Sequence, residues 1–307
     1  MKKRRRALLL CLAPLLLIPM LYYGLGHAGI RPPGAKADAR FLREITAQPC
    51  WANTLDTRVP QPLAYGAMLR HMEGENARLL FIGYDGALAS AVGGRAALPG
   101  SAAGGLAAQG GMWLGQAGGA APGDQQTRTA PGWTSIFTGV WADEHHVFKN
   151  GDTLTPGVRT ILYQLRASGK QVSFSFSWKQ HRTKSYYNEA LVFPEAFLYC
   201  EDDAGTLASM LAGIEGGQHA VFGIFEYADH AGHLTGYFAR SPFYKKAMAR
   251  AEAAAAQLIG AAQAREKQYG EDWLILIASD HGGYGFDHFG PGLMESTSFF
   301  AANKMIF

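Results

Sequence analysis

Trp273-Leu-Ile-Leu-Ile-Ala278-Ser-Asp280-His281-Gly-Gly283 is the stretch on which the fold turns. Six apolar residues in a row, with Ile at 275 and 277, suit a strand buried on both faces, not one that alternates between core and water. The run ends on small and polar residues, which leaves a carboxylate and an imidazole at the strand's carboxyl end. Three more short runs have the same character: Leu79 to Tyr84, Gln171 to Ser177 and Ala220 to Glu226. The first leads into Asp85-Gly86, and the third into Glu226-Tyr-Ala-Asp229-His-Ala-Gly-His233. Helical stretches lie between the strands. One is predicted from Thr155-Pro156 to a stop at Gly169, another from Ser241-Pro242 through an Ala-rich run to Gly270. Strands alternating with helices predict an α/β fold, a mostly parallel central sheet covered by helices on both faces. The Gly/Ala-rich stretch Gly86 to Gly123 reads as close-packed helix and loop, with helix-forming residues from Ser101 to Gln109.

Outward from these strands, the chain has 307 residues, 48% hydrophobic and 17% charged, enough for a sizeable core and too apolar for a disordered chain. Of its 28 Lys and Arg, five form the run Lys2 to Arg6, and the other 23 face 25 Asp and Glu. The folded body is therefore slightly acidic, which excludes a broad nucleic-acid-binding surface. The basic run is followed by apolar Ala7 to Gly26 and then His27-Ala28, so residues 1–28 read as a cleaved signal peptide or a retained signal anchor. Either one predicts export, to a periplasm or to the outer face of the cytoplasmic membrane. Cys11 lacks the small residue before it that lipidation wants. Residues 29–45, with Arg31-Pro-Pro-Gly34, read as a polar linker, and 46–307 as one domain. Cys50 and Cys200 would pair in an oxidising compartment or stay as free thiols, and sequence alone leaves both open.

Ligands of open α/β sheets bind outside the carboxyl ends of the strands, so the acidic and histidine clusters should converge on one edge. Asp85, Asp229 and Asp280, with His233, His281 and His288, are three carboxylates and three imidazoles. That is too many for one tetrahedral ion and suited to two. Mixed nitrogen and oxygen ligation favours zinc over calcium or magnesium, other divalent ions remaining open.

A nucleophile is available as well. Thr127-Arg-Thr129-Ala-Pro131-Gly-Trp-Thr-Ser-Ile-Phe-Thr138-Gly139 predicts a short helix entered at Thr129, with Pro131 in its first turn and Gly139 past its end. A hydroxyl there faces unpaired N–H groups and the positive end of the helix dipole, a place for a phosphate oxygen. A neighbouring zinc ion would lower its pKa toward an alkoxide. The plainer role for Thr129 is an N-cap.

Taken in order, Asp85-Gly, Thr129-x-Pro131, Thr138-Gly139, His145, Asn150, Asp229-x-x-x-His233, Asp280-His281-Gly and a last His resemble the alkaline phosphatase superfamily. Within it they resemble the type I phosphodiesterase/nucleotide pyrophosphatase branch, over about residues 78–303. The resemblance implies an alkaline-phosphatase-like fold with one zinc on Asp229, His233 and His288. The other would lie on Asp85, Asp280, His281 and Thr129. It implies attack by Thr129 on phosphorus, a phosphothreonine intermediate, and Asn150 donating to a phosphoryl oxygen. The chain departs from the pattern at Gly132, where relatives often carry Asn, and in the short step from His281 to His288, which predicts an open pocket. His145 and His146 are expected to shape the turn after the nucleophile helix, and His230 to point away from the metals. The closing run Phe299-Phe-Ala-Ala-Asn-Lys304 resembles the family's last strand, so a clipped C-terminus is also compatible with the sequence.

The leading expectation is a zinc phosphodiesterase or nucleotide pyrophosphatase acting on a small phosphate ester or nucleotide, of open oligomeric state. A phosphomonoesterase on the same scaffold would need further cations, for which Lys179 and Arg182 are candidates, although a solvated basic loop is the commoner meaning of such residues. A transferase passing the phosphoryl group to a lipid or sugar, and a metal-binding protein without catalysis, are the remaining readings. Trp133, Trp178, Tyr186 and Tyr187 are candidates for base stacking, with core or rim packing the plainer role.

Overall fold

The computed structural model describes residues 34–46, 50–94, 96–119 and 125–307. The signal sequence expected at 1–28, Cys11 and residues 29–33 of the linker lie outside them. In chain order the main elements are α1 (Gly34–Ile45), β1 (Val59–Pro60), α2 (Leu63–Met72), β2 (Ala77–Tyr84), α3 (Ala89–Val92), α4 (Ala102–Ala107), β3 (Gly111–Gln116), α5 (Thr129–Thr138), α6 (Ala142–His145) and α7 (Ile161–Ala167). They continue with β4 (Val172–Phe176), α8 (Tyr187–Val192), β5 (Phe197–Tyr199), α9 (Asp203–Glu215), β6 (Ala220–Phe225), α10 (Tyr227–Thr235), α11 (Pro242–Tyr269), β7 (Asp272–Ala278), α12 (Leu293–Ser296) and β8 (Thr297–Ala302).

The strands form one sheet in the order β1-β3-β8-β7-β2-β6-β4-β5. Every pairing is parallel except those of β8, which runs antiparallel to β3 and β7. The apolar runs are continuous because the sheet is covered on both sides. Leu80, Ile82, Ile275 and Ile277 face one core with Met210 of α9 and Met248 and Leu258 of α11. Leu79, Phe81, Leu274 and Leu276 face the other, with Met68 of α2 and Trp133 and Phe137 of α5. This is the expected three-layer α/β/α arrangement, and it sets the carboxyl ends of β2, β6 and β7 side by side.

Three local expectations are corrected. The linker does not extend to residue 45: Gly34–Ile45 is helical, and Phe41 and Ile45, one turn apart, are 1% and 2% exposed in the core. Its polar composition reflects the outer face of an amphipathic helix. The helix placed at Thr155-Pro156 starts instead at Ile161, where the Thr160 hydroxyl accepts the Tyr163 N–H. The earlier Pro sits in a turn closed by Gly157 at φ 105. The Gly/Ala-rich stretch does contain a helix capped by Ser101, but it also holds strand β3. Gly115 serves there because a Cβ would lie 2.4 Å from the Ser298 hydroxyl on β8. Helix α11 runs from Pro242 to a left-handed Gly270, as read. Cys50 and Cys200 are free thiols.

Candidate metal centre and nucleophile

Each ligand predicted from sequence leaves a strand end. Asp85 follows β2 at a turn where Gly86 takes φ +60 and a Cβ would come 2.5 Å from Asp229 Oδ1, so only glycine fits. The Gly86 N–H donates to Asp280 Oδ1 at 3.1 Å, tying the first strand end to the fourth. Asp229 and His233 stand one turn apart on α10, just after β6, with Nε2 to Oδ2 at 3.4 Å. Asp280 and His281 follow β7, and His288 returns on the next loop.

The structure gathers all six. Asp85, Asp280 and His281 offer ligand atoms within 4.8 Å of one another, as predicted, whereas Asp229 groups in this way with His281 and His288, and with Asp85 and Glu226, instead of with His233 and His288. His281 Nε2 lies 3.3 Å from Asp280 Oδ2 and 3.6 Å from Asp85 Oδ1, and His288 Nε2 lies 3.6 Å from Asp229 Oδ1. A tetrahedral ion with bonds of about 2.0–2.1 Å spaces its ligand atoms about 3.3 Å apart, so these groups could hold a small cation. The His281 and His288 rings stack at 3.9 Å. Asp287, absent from the predicted set, groups with His233 and His288.

Tautomers point the same way. His233 Nδ1 donates to the Phe286 carbonyl at 3.0 Å, His281 Nδ1 to Gly282 at 2.7 Å and His288 Nδ1 to Thr127 at 2.8 Å. A carbonyl can only accept, so a proton sits on Nδ1 in all three, and Nε2 is the nitrogen each ring turns toward the carboxylates. Asp85 Oδ1, Asp280 Oδ2 and His281 Nε2 are buried without a hydrogen-bond partner. Orphaned atoms of this kind are costly unless something binds them, and three from one trio fit a cation.

Charge tells the same story. Burial, then the charge of Asp229, pushes Asp85 well above the carboxylate range, and burial with the charge of Asp85 does the same to Asp280 and Glu226. Burial also acts on Asp229, but the His233 hydrogen bond and the neighbouring imidazoles outweigh it and hold that carboxylate low. His233, although burial opposes it, is raised to about 9 by Asp229. Without a cation these carboxylates must share protons or repel.

The nucleophile helix forms as read, α5 from Thr129 to Thr138 with Gly139 left-handed at its end. Its N-cap position is Arg128, not Thr129, and Thr129 is 5% exposed. Three contacts fix the helix against the ligands. Trp133 Nε1 donates to Asp85 Oδ2 at 3.0 Å, the Thr127 carbonyl takes the His288 proton, and Gly132 abuts Asp280, where a Cβ would lie 2.6 Å from the carbonyl oxygen. The last of these explains the departure at Gly132: a side chain there has no room. Asn150 Oδ1 accepts the Ala130 N–H at 3.0 Å, which places its amide N–H₂ at the helix entrance, free to donate.

Several supporting residues escaped the sequence reading. Tyr237 donates to Asp229 Oδ1, and its ring packs into the space that Gly232 and Gly283 leave. Gln61 Nε2 donates to the Asp280 carbonyl at 2.6 Å, and Thr127 Oγ1 bridges to Gly290 O and Phe289 N. Arg128 lies over the Phe289 ring at 4.7 Å, directly before the nucleophile.

Other candidates sit elsewhere. Lys179 and Arg182 are exposed on the turn after β4 and form no ion pair among the described residues. His145 is buried and structures the turn: its Nδ1 accepts the Val147 N–H, and burial drives its pKa down to about 3. His230 is exposed. Trp133 and Tyr186 are core residues, and Tyr187 is exposed.

The fold is that of the alkaline phosphatase superfamily. An inactive variant of murine ectonucleotide pyrophosphatase/phosphodiesterase 5, solved with AMP, superposes with a TM-score of 0.51 at 17% identity, over 67% of this chain and 57% of that one. The human enzyme of the same name gives 0.50 at 16% identity over the same shares. A 2-O GAG sulfatase gives 0.53 at 14% identity, over 74% of this chain and 64% of its own. The chain thus spans less than two thirds of the length of these structures. No family model matches the chain, and neither does any curated protein.

Proposed function

We propose that this chain is a zinc-dependent hydrolase of phosphate esters, cleaving phosphodiester or nucleotide pyrophosphate bonds through a phosphothreonine at Thr129. The observation that carries the reading is the placement of the Thr129 helix entrance against two ligand sets with orphaned, buried donor atoms. The AMP complex of the ectonucleotide pyrophosphatase/phosphodiesterase 5 variant supports a nucleotide-type substrate.

Asp85, Asp280 and His281 would hold one zinc with Thr129, and Asp229, His233 and His288 the other. Zinc would supply positive charge for the phosphoryl oxygens and lower the pKa of the Thr129 hydroxyl. Thr129 Oγ attacks phosphorus in line, the P–O bond to the leaving alcohol or phosphate breaks, and Thr129 carries the phosphoryl group. The Asn150 amide donates to a non-bridging oxygen while its own oxygen stays fixed on Ala130. Water then cleaves the Thr129 ester, releasing the product and restoring the hydroxyl. By this reading the enzyme works in a periplasm or at the outer face of the cytoplasmic membrane.

The test is hydrolysis of a nitrophenyl phosphate diester and monoester by the zinc-loaded protein, with Thr129→Ala as control. Diester turnover that Thr129→Ala lowers at least about a thousandfold is expected. A monoester preference would move the assignment to a phosphatase, and turnover unaffected by Thr129→Ala would refute the nucleophile.

A further inference from the structure

The stretch from Leu234 to Ala251 carries Arg240, Lys245, Lys246 and Arg250 and not one acidic residue. It forms the corner between α10 and α11, and all four cations are exposed. Leu234, Phe238 and Phe243 on the same corner are 79%, 45% and 68% exposed. Leu234 and Phe243 line one groove of about 840 Å³ with Lys246 and Arg250. Glu201, Asp202, Asp203 and Glu226 line it too, but Asp203 accepts from the Ser177 hydroxyl and the Glu226 N–H, and Lys245, Lys246 and Arg250 form no ion pair among the described residues. Large apolar tips set among unpaired cations are the composition of a surface that lies in a bilayer interface.

The C-terminal end of α1, the first described helix, meets this corner. Glu44, near the end of α1, pairs with Arg240 at 3.3 Å, and α1 packs on α3 and α12, beside the loops that carry the metal ligands. Upstream, Lys2 to Arg6 and the 20-residue apolar run 7–26 are separated from Gly34 by seven residues, a reach of at most about 25 Å. A run of that length suits a bilayer. Held there, it would leave the domain little choice of neighbour. Phe238 also touches Phe286, whose carbonyl fixes His233, so the corner and the metal centre share an edge.

We propose that the α10–α11 corner docks on an anionic lipid bilayer, with Leu234, Phe238 and Phe243 among the headgroups and Lys245, Lys246 and Arg250 against lipid phosphates. Anionic headgroups supply the charge these cations lack, and acyl-chain boundaries the apolar surface. This stands apart from catalysis, since it concerns where the edge rests and not what is cleaved.

Hydrogen exchange of the full chain in lipid nanodiscs tests it. Discs of phosphatidylcholine with roughly 30% phosphatidylglycerol would be compared with discs of phosphatidylcholine alone. Amides of residues 233–246 are expected to exchange about fivefold or more slowly in the anionic discs. Leu234→Glu with Phe243→Glu, and separately Lys245→Glu with Lys246→Glu, should abolish the difference. Both apolar tips are exposed, so these variants should fold, as unchanged exchange in β2 and β7 would show. Equal exchange in the two kinds of disc overturns docking on anionic lipid. Slowing that survives both variants, or that tracks the number of chains per disc, also overturns it, the latter in favour of a second copy. The readout involves no turnover, so its failure leaves the hydrolase reading standing, and the reverse holds.

Discussion

Tyr237→Phe removes one oxygen atom and isolates what that oxygen does for the metal centre. The ring is fully buried and wedged where a Cβ on Gly232 or Gly283 would come within 2.4 or 2.3 Å, so phenylalanine should occupy the same place. Burial and the charge of Asp229 push the Tyr237 pKa well above the ordinary range, which keeps the hydroxyl a proton donor at any working pH. A hydrogen bond to a charged group is worth about 1.5–3 kcal/mol, and about 1.4 kcal/mol is a factor of ten. On the proposed assignment, an ion held by Asp229, His233 and His288 should therefore bind about 10–100-fold more weakly, the range for outer-shell partners of metal ligands. The ion on Asp85, Asp280 and His281 should change little, because Trp133 and the Gly86 N–H support that set. Zinc titration against a chromophoric chelator resolves the two affinities. Tyr186→Phe serves as control, since its hydroxyl meets only Thr134, at 3.4 Å. Equal weakening of both ions, or the same change in the control, would show general loosening and refute the assignment of Tyr237 to one ion.

Three further changes separate roles that the geometry assigns. Asn150→Asp keeps the acceptor for the Ala130 N–H but replaces the donor, so kcat should fall about 100-fold with Tm nearly unchanged; equal turnover would leave Asn150 as a helix-entrance residue alone. Gly132→Ala drives a methyl group to 2.6 Å from the Asp280 carbonyl and must displace α5; thermal unfolding should show a loss of about 1–3 kcal/mol and kcat a fall beyond tenfold. His181→Phe should stabilise, because both ring nitrogens lack partners amid Phe174, Phe176, Trp178 and Tyr186. Burial drives the folded pKa of His181 from 6.5 to about 3, so between those values the unfolded chain binds more protons and stability falls with falling pH. Urea unfolding should show the variant's advantage growing by about 2 kcal/mol from pH 7 to pH 5, and a pH-independent gain would contradict this.

The ligands were legible because their positions follow from a single constraint. Strands covered on both faces must be apolar throughout, so the first charged residue after each run marks the strand's end and stands at the sheet edge. Asp85 and Asp280 are found that way with no knowledge of tertiary contacts, whereas after β6 the first charge is Glu226 and Asp229 follows on the next helical turn. Helix α1 failed the same test because only Phe41 and Ile45 show an inward stripe, and polar neighbours mask two residues. Strand β3 failed because Gly111 and Gly115 are there to let rings and strands approach, which composition alone presents as low complexity. Tyr237 and Gln61 act on ligands 8 and 219 positions away. Nothing local distinguishes such a tyrosine or glutamine from any other buried one.

The same edge that made the candidate ligands legible also leaves them short of hydrogen-bond donors. Asp85, Glu226, Asp229 and Asp280 are all at most 7% exposed, and the sheet edge offers few donors for them. Trp133 serves one oxygen of Asp85, Tyr237 one of Asp229 and Gly86 one of Asp280. The second oxygens of Asp85 and Asp280 are left over, beside an imidazole whose own Nε2 is left over. Each served oxygen fixes the carboxylate plane, and so aims the unserved one at the space shared with His281. A chain selected for stability alone would fill such a place with hydrophobic residues, because buried and unpaired charge costs more than it returns. The donors therefore make sense as alignment for a cation that completes the shell, and the helix that supplies one of them, through Trp133, also carries Thr129 one turn earlier. Orientation of Asp85 and placement of Thr129 are thus set by a single rigid element.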